Sequence, residues 1–145
     1  MYNTKSYVSE VSDIINYLSD VRKQRNISIR ALAADLGVYP NAVQQWLNPN
    51  HNISVDCLVK LGNALGITFS TSNTRKYACS ADELIDLLTK AKTYCELSTR
   101  ELAELTKLPQ PSICGILSHK IKPRLNSYLL LADALGIELE LYEVD

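Results

Sequence analysis

Glycine and proline are scarce in this chain, with five of each in 145 residues. Long disordered stretches are therefore not expected beyond the termini and one linker. No run approaches the roughly 18–20 apolar residues that a membrane span needs. The start, Met1-Tyr2-Asn3-Thr4, has no basic flank and no apolar run behind it, which argues against a signal peptide. The chain is thus expected to be soluble and cytoplasmic, without a membrane partner. Cys57, Cys79, Cys95 and Cys114 show no CxxC spacing, whereas zinc needs ligands that converge. They read as four reduced, mostly buried thiols. His51 and His119 have no acidic or Cys partner nearby in sequence and read as surface residues or occasional phosphate contacts. HExxH, P-loop and GxSxG patterns are all missing, so an enzyme is not expected, and neither is a catalytic residue, a cofactor or a metal.

A charge excess of one sign is also lacking: 15 basic and 16 acidic residues give a net of −1. A nucleic-acid binder usually carries a basic surplus, so this balance opposes such a role unless the charge is segregated. Four acids, Glu138, Glu140, Glu143 and Asp145, sit at the C-terminus. Basic groups elsewhere are left able to form a patch.

What is present is a repeat. Leu61-Gly62-Asn63-Ala64-Leu65-Gly66-Ile67 returns as Leu131-Ala132-Asp133-Ala134-Leu135-Gly136-Ile137, an offset of 131 − 61 = 70. At that offset Ser28-Ile29-Arg30-Ala31-Leu32-Ala33 meets Ser98-Thr99-Arg100-Glu101-Leu102-Ala103, Ile15 meets Ile85, Leu18 meets Leu88 and Leu47 meets Leu117. Identity is low, but the matches fall on the periodic apolar positions that core packing dictates. The chain is expected to hold two copies of one domain: residues 1–69, a linker over 70–79, and residues 80–145.

Each copy reads as four helices. Val8, Val11, Ile14, Leu18 and Val21 give the first its apolar stripe; Leu84, Ile85, Leu88 and Ala91 do so in copy two, behind a Ser80/Glu83 capping box. The second helix opens at Ser28 and at Ser98, where Glu101 completes another box. Gly37 supplies a left-handed turn after Leu36; Lys107 stands there in copy two, so that turn is expected to differ. Third helices start near Pro40 and near Gln110-Pro111, and fourth helices end in Leu65-Gly66 and Leu135-Gly136. The period then changes to two: Ile137, Leu139 and Leu141 alternate with Glu138, Glu140 and Tyr142, a half-buried strand, with Ile67–Thr71 as its weaker counterpart.

The run Leu32-Ala33-Ala34-Asp35-Leu36-Gly37-Val38, then Val43 and Trp46, then Leu58, Leu61 and Ala64-Leu65-Gly66-Ile67 resembles the Cro/repressor-type helix-turn-helix family. Copy two repeats it with Leu102-Ala103, Leu108, Ile113, Ile116, Pro123-Arg124-Leu125 and Ala134-Leu135-Gly136-Ile137. The resemblance implies a mainly α fold of two tandem lambda-repressor-like bundles, each followed by a short strand, and a sequence-specific double-stranded DNA-binding transcriptional regulator that acts as a repressor. Two features depart from the family pattern. A strand stands where a fifth helix is usual, which looks more like the antitoxin branch, and the domain is duplicated where most members dimerise. Members also pair a basic residue of the first helix with an acid ending the third; Arg22 and Lys92 fit, but Leu47 and Leu117 take the acid's place.

In copy one, Val43, Trp46, Leu47 and Ala42 are expected to face the core, leaving Asn41, Gln44, Gln45 and Asn48 outward. Their amides can pair bidentately with adenine in the major groove; a solvated polar face is the plainer alternative. In copy two Gln110, Pro111, Cys114, Gly115 and Ser118 face outward, and only Gln110, Ser112 and Ser118 offer useful hydrogen bonds. Gly115 inside a helix costs about 1 kcal/mol against Ala, so a close backbone approach by DNA or another helix is expected there, or the second reading helix has decayed. Phosphate contacts are expected from Ser28, Arg30 and Asn48, from Ser98 and Arg100, and from the basic loop residues Lys120, Lys122 and Arg124. A second reading makes the chain an antitoxin or other interaction module, with Leu139 and Leu141 of the last strand adding to a toxin's sheet edge, or to that of another copy in a homodimer.

Overall fold

The computed structural model describes residues 2–5, 11–74 and 76–144; Val8, Arg75 and Asp145 lie outside them. Elements run in the order β1 (Tyr2–Lys5), α1 (Val11–Gln24), α2 (Ile29–Leu36), α3 (Pro40–Trp46), α4 (Val55–Leu65), β2 (Ile67–Thr71), α5 (Ala81–Cys95), α6 (Thr99–Thr106), α7 (Gln110–Leu117), α8 (Leu125–Ala134) and β3 (Leu139–Val144). The fold is mainly helical, and α1–α4 form a lambda-repressor-like bundle that α5–α8 repeat in order.

Local chemistry sets the helix ends. Ser28, Ser54, Ser80 and Ser98 each accept a backbone N–H three residues on, at Ala31, Cys57, Glu83 and Glu101, and each such cap stabilises its helix by about 1 kcal/mol. The Ser98/Glu101 box is closed in both directions. At Ser80 the return arm differs, because the Glu83 carboxylate accepts from Cys79 N–H. Gly37 closes α2 at φ +68, and Lys107 closes α6 at φ +65. The two turns thus share one left-handed conformation, contrary to the sequence expectation. Lys107 costs on the order of 1–2 kcal/mol there, which packing of Leu102, Ile113 and Ile116 outweighs.

The sheet has the order β1-β3-β2 and is antiparallel throughout. Phe69 faces Leu141, Thr71 faces Leu139, and β1 covers the other edge of β3 with Tyr2 opposite Val144 and Lys5 opposite Leu141. The strand expected to offer an open edge is therefore the central one, with both edges paired inside the chain. This corrects the expectation that β3 would join a homodimer or a toxin by strand addition, for which it has no free ladder. The outer side of β2 is met in turn by Ala78, whose N–H donates to Phe69 O at 2.7 Å.

The two units are related by a pseudo-dyad. Ser70 pairs with Glu140 in the sheet, and Ser54 pairs with Arg124 in a lone antiparallel bridge; both pairs are separated by the repeat offset, 140 − 70 = 70 and 124 − 54 = 70. The bridge is reciprocal, with Leu125 N–H to Ile53 O at 2.7 Å and Val55 N–H to Pro123 O at 3.0 Å. Ile14, Leu18, Leu58, Leu61 and Phe69 of unit one share one continuous buried cluster with Leu84, Leu88, Leu131, Leu139 and Leu141 of unit two. Tyr128, where unit one has Leu58, is fully buried and donates to Leu84 O at 2.9 Å.

Candidate nucleic-acid interface

In unit one α3 packs on α2 through Val43, which is fully buried, with Ala42, Trp46 and Leu47 half-buried beside it. Burying Val43 stabilises the docked helix by about 1.5–3 kcal/mol. The helical period then leaves Asn41, Gln44, Gln45 and Asn48 together on the solvent side, and all four are exposed. No acidic residue lies on α3. Asn48 Oδ1 accepts from Asn50 N–H at 2.9 Å, which turns the chain away from the helix and leaves the amide nitrogen to donate. Pro40 occupies the first turn, where its missing N–H costs nothing.

Tyr39, just before Pro40, was not singled out by sequence reasoning. Its ring is 84% exposed at the end of α3 nearest Asn41. The signal was a bulky aromatic outside any apolar period. Unit two has Pro109 in the same place.

In α7, Ile113 and Ile116 face the core, Gln110, Pro111, Cys114 and Ser118 are exposed, and Ser112 is half-buried. Gly115 is half-buried, because the Ile121 side chain lies where a Cβ would stand. The close approach expected there comes from its own loop, with Lys120 and Ile121 N–H both donating to Gly115 O at 2.9 and 3.0 Å. Neither DNA nor another helix is needed to explain this glycine.

The phosphate candidates separate by partner. Ser28 and Ser98 spend their hydroxyls on caps. Arg30 is exposed at the start of α2, whose first turn has no acid; Arg100 is 3.8 Å from Glu104, and the Glu101 carboxylate already accepts from Ser98 N–H. A helix N-terminus attracts anions, so the α2 end is open to a phosphate while the α6 end carries its own carboxylate. In the basic loop Lys120 is exposed. Lys122 reaches across the pseudo-dyad to Asp56 at 3.9 Å, and Arg124 donates to Asn52 O at 2.9 Å. His119 is exposed but partnered, its ring nitrogens 3.2 Å from Asp82 and 2.8 Å from Asp86 of α5. The hydrogen bond to Asp86 raises its pKa above the ordinary 6.5. His51 is half-buried.

The corner where the family pattern lacks its acid is held otherwise. Leu47 and Leu117 pack against the core, and Arg22 donates to Ile27 O at 2.9 Å. All four cysteines are free thiols, but Cys79, Cys95 and Cys114 are exposed and only Cys57 is half-buried, which corrects the reading of mostly buried thiols. Among the described residues no cluster of His, Cys, Asp and Glu could hold a metal ion, and no helix is long and apolar enough to cross a membrane.

Residues 18–71, from within α1 to the end of β2, match the helix-turn-helix family. No curated protein and no solved structure matches the chain. The family match covers less than half of the chain, and it supports a DNA-binding helix-turn-helix regulator.

Proposed function

We propose that the chain is a sequence-specific repressor that reads double-stranded DNA as a single-chain counterpart of a symmetric dimer. The observation that carries this reading is the pseudo-dyad through Ser54/Arg124 and Ser70/Glu140, which makes α3 and α7 counterparts in one molecule. A two-fold reader meets two half-sites about 34 Å apart, and here one polypeptide supplies both heads.

The heads are unequal. Asn41, Gln44 and Gln45 read base edges from α3, with Tyr39 beside them against a sugar, phosphate or thymine methyl. Gln110 and Ser112 make a poorer reader of α7. Phosphates are held by Arg30, Asn48 and the Ser28 end of α2 in unit one, and by Lys120 in unit two. Lys122 and Arg124 sit near the dyad, where the duplex crosses from one half-site to the other. Ser98 and Arg100 contribute less, because Glu101 and Glu104 oppose the phosphate. The operator is accordingly an imperfect palindrome with one strongly specified half. Repression follows by occlusion, since a reader spanning a helical turn blocks the same face to polymerase.

An equilibrium titration on duplex fragments at two salt concentrations tests this. Preference for particular fragments and a falling affinity with salt, by about one log unit per log unit of salt for each phosphate contact, support it. Equal binding to all fragments with no salt slope contradicts it.

A further inference from the structure

The repeat allows each corner of one unit to be compared with the same corner of the other, and one pair differs sharply. In unit one, Arg25 leaves the end of α1 and fills the corner under Gly66: it donates to Val144 O at 3.0 Å, lies 4.0 Å from Glu143, and occupies the place where a Gly66 Cβ would stand. The counterpart in unit two is Cys95 (25 + 70 = 95), too short to fill the space. Nothing lies within 4 Å of the corresponding position at Gly136. A cavity of about 520 Å³ opens there, between α5 and the turn from α8 to β3, within the about 300–1,000 Å³ typical of small-molecule sites.

Its chemistry is also inverted. At the repeat offset Asp20, Arg25 and Glu143 correspond to Lys90, Cys95 and Asn73, and the last three line the cavity. Both acids are gone, and Lys90 is the one charged side chain among the described lining residues. Ile137 gives the floor an apolar surface, and the Tyr94 ring, 90% exposed, stands at the rim.

We propose that this corner is a binding site for a small carboxylate with an apolar, ring-sized body, the carboxylate directed at Lys90 and the body against Tyr94 and Ile137. The site is separate from α3 and α7, so the proposal does not depend on how DNA is read. Titration of the full chain with benzoate and with its neutral twin benzamide, followed by ligand-observed NMR, tests it without DNA. Benzoate is expected to bind at least fivefold more tightly than benzamide. Lys90→Gln, a change at an exposed position, is expected to erase that difference, and Cys95→Arg, which copies the filling of unit one, to abolish binding of both. Should Cys95→Arg fail to fold, the Lys90→Gln comparison decides. No binding of benzoate, equal binding of the two compounds to the unaltered chain, or binding unchanged by Lys90→Gln overturns the proposal.

Discussion

Ser54 and Arg124 occupy equivalent positions in the two units and face one another in a single antiparallel bridge. Each lies immediately before a fourth helix, in the loop that follows α3 or α7. Flanking residues keep the same relation but change chemistry: Asn52 Oδ1 accepts from Asn126 N–H at 3.0 Å on one side, and Lys122 approaches Asp56 at 3.9 Å on the other. Around this bridge the backbone is symmetric while the side chains are not.

The proposed repressor reads bases from α3. Gln45→Ala is expected to lower discrimination at particular operator positions by about 1–3 kcal/mol, the worth of a bidentate pair, with unfolding unchanged. Competition binding against single-position operator variants measures this. A uniform loss across all variants would remove Gln45 from the reading face.

Lys122→Ala should behave differently. It is expected to weaken every duplex alike and to reduce the salt slope by about one. Binding isotherms over a salt series separate this from a base contact.

Packing makes a prediction from the repeat itself. A Cβ on Gly62 would come within 2.5 Å of the buried Phe69 ring, whereas unit two carries Ala132 with Leu139 at the corresponding positions. Gly62→Ala is expected to destabilise by about 1–3 kcal/mol through overpacking, and adding Phe69→Leu to restore most of it. Urea unfolding of the two variants checks the coupling; additive losses would contradict it.

His119 introduces a pH dependence. Its pKa is raised in the folded chain, first by the hydrogen bond to Asp86 and also by the Asp82 and Asp86 charges. The stabilisation is therefore fully present below the unfolded-state value near 6.5 and is lost as pH rises through the higher folded value. Unfolding of His119→Ala and the unaltered chain should differ at low pH and converge at high pH. A difference that grows with pH would show that the contact works otherwise.

Much of the fold was legible in sequence because local chemistry fixed it. Capping serines, the Leu-Gly ends of the fourth helices and the buried stripe through Val43 all act over a few residues, and they placed Asn41, Gln44 and Gln45 on the exposed face. What escaped is long-range. β1 is four residues, Tyr2–Lys5, with no alternation to announce it, so its pairing with β3, and with it the closure of the β3 edge, could not be read. His119 found carboxylates 33 and 37 residues away. Lys107 took a left-handed turn that its side chain disfavours because the surrounding core outweighs the local cost.

Selection of bound sequences from random duplexes, followed by the mass of the complex on the winning duplex, tests the pseudo-dyad reading most directly. One chain per duplex is expected, on an imperfect palindrome whose half-site centres are about one helical turn apart. A lone half-site, or two chains needed for each operator, would contradict it.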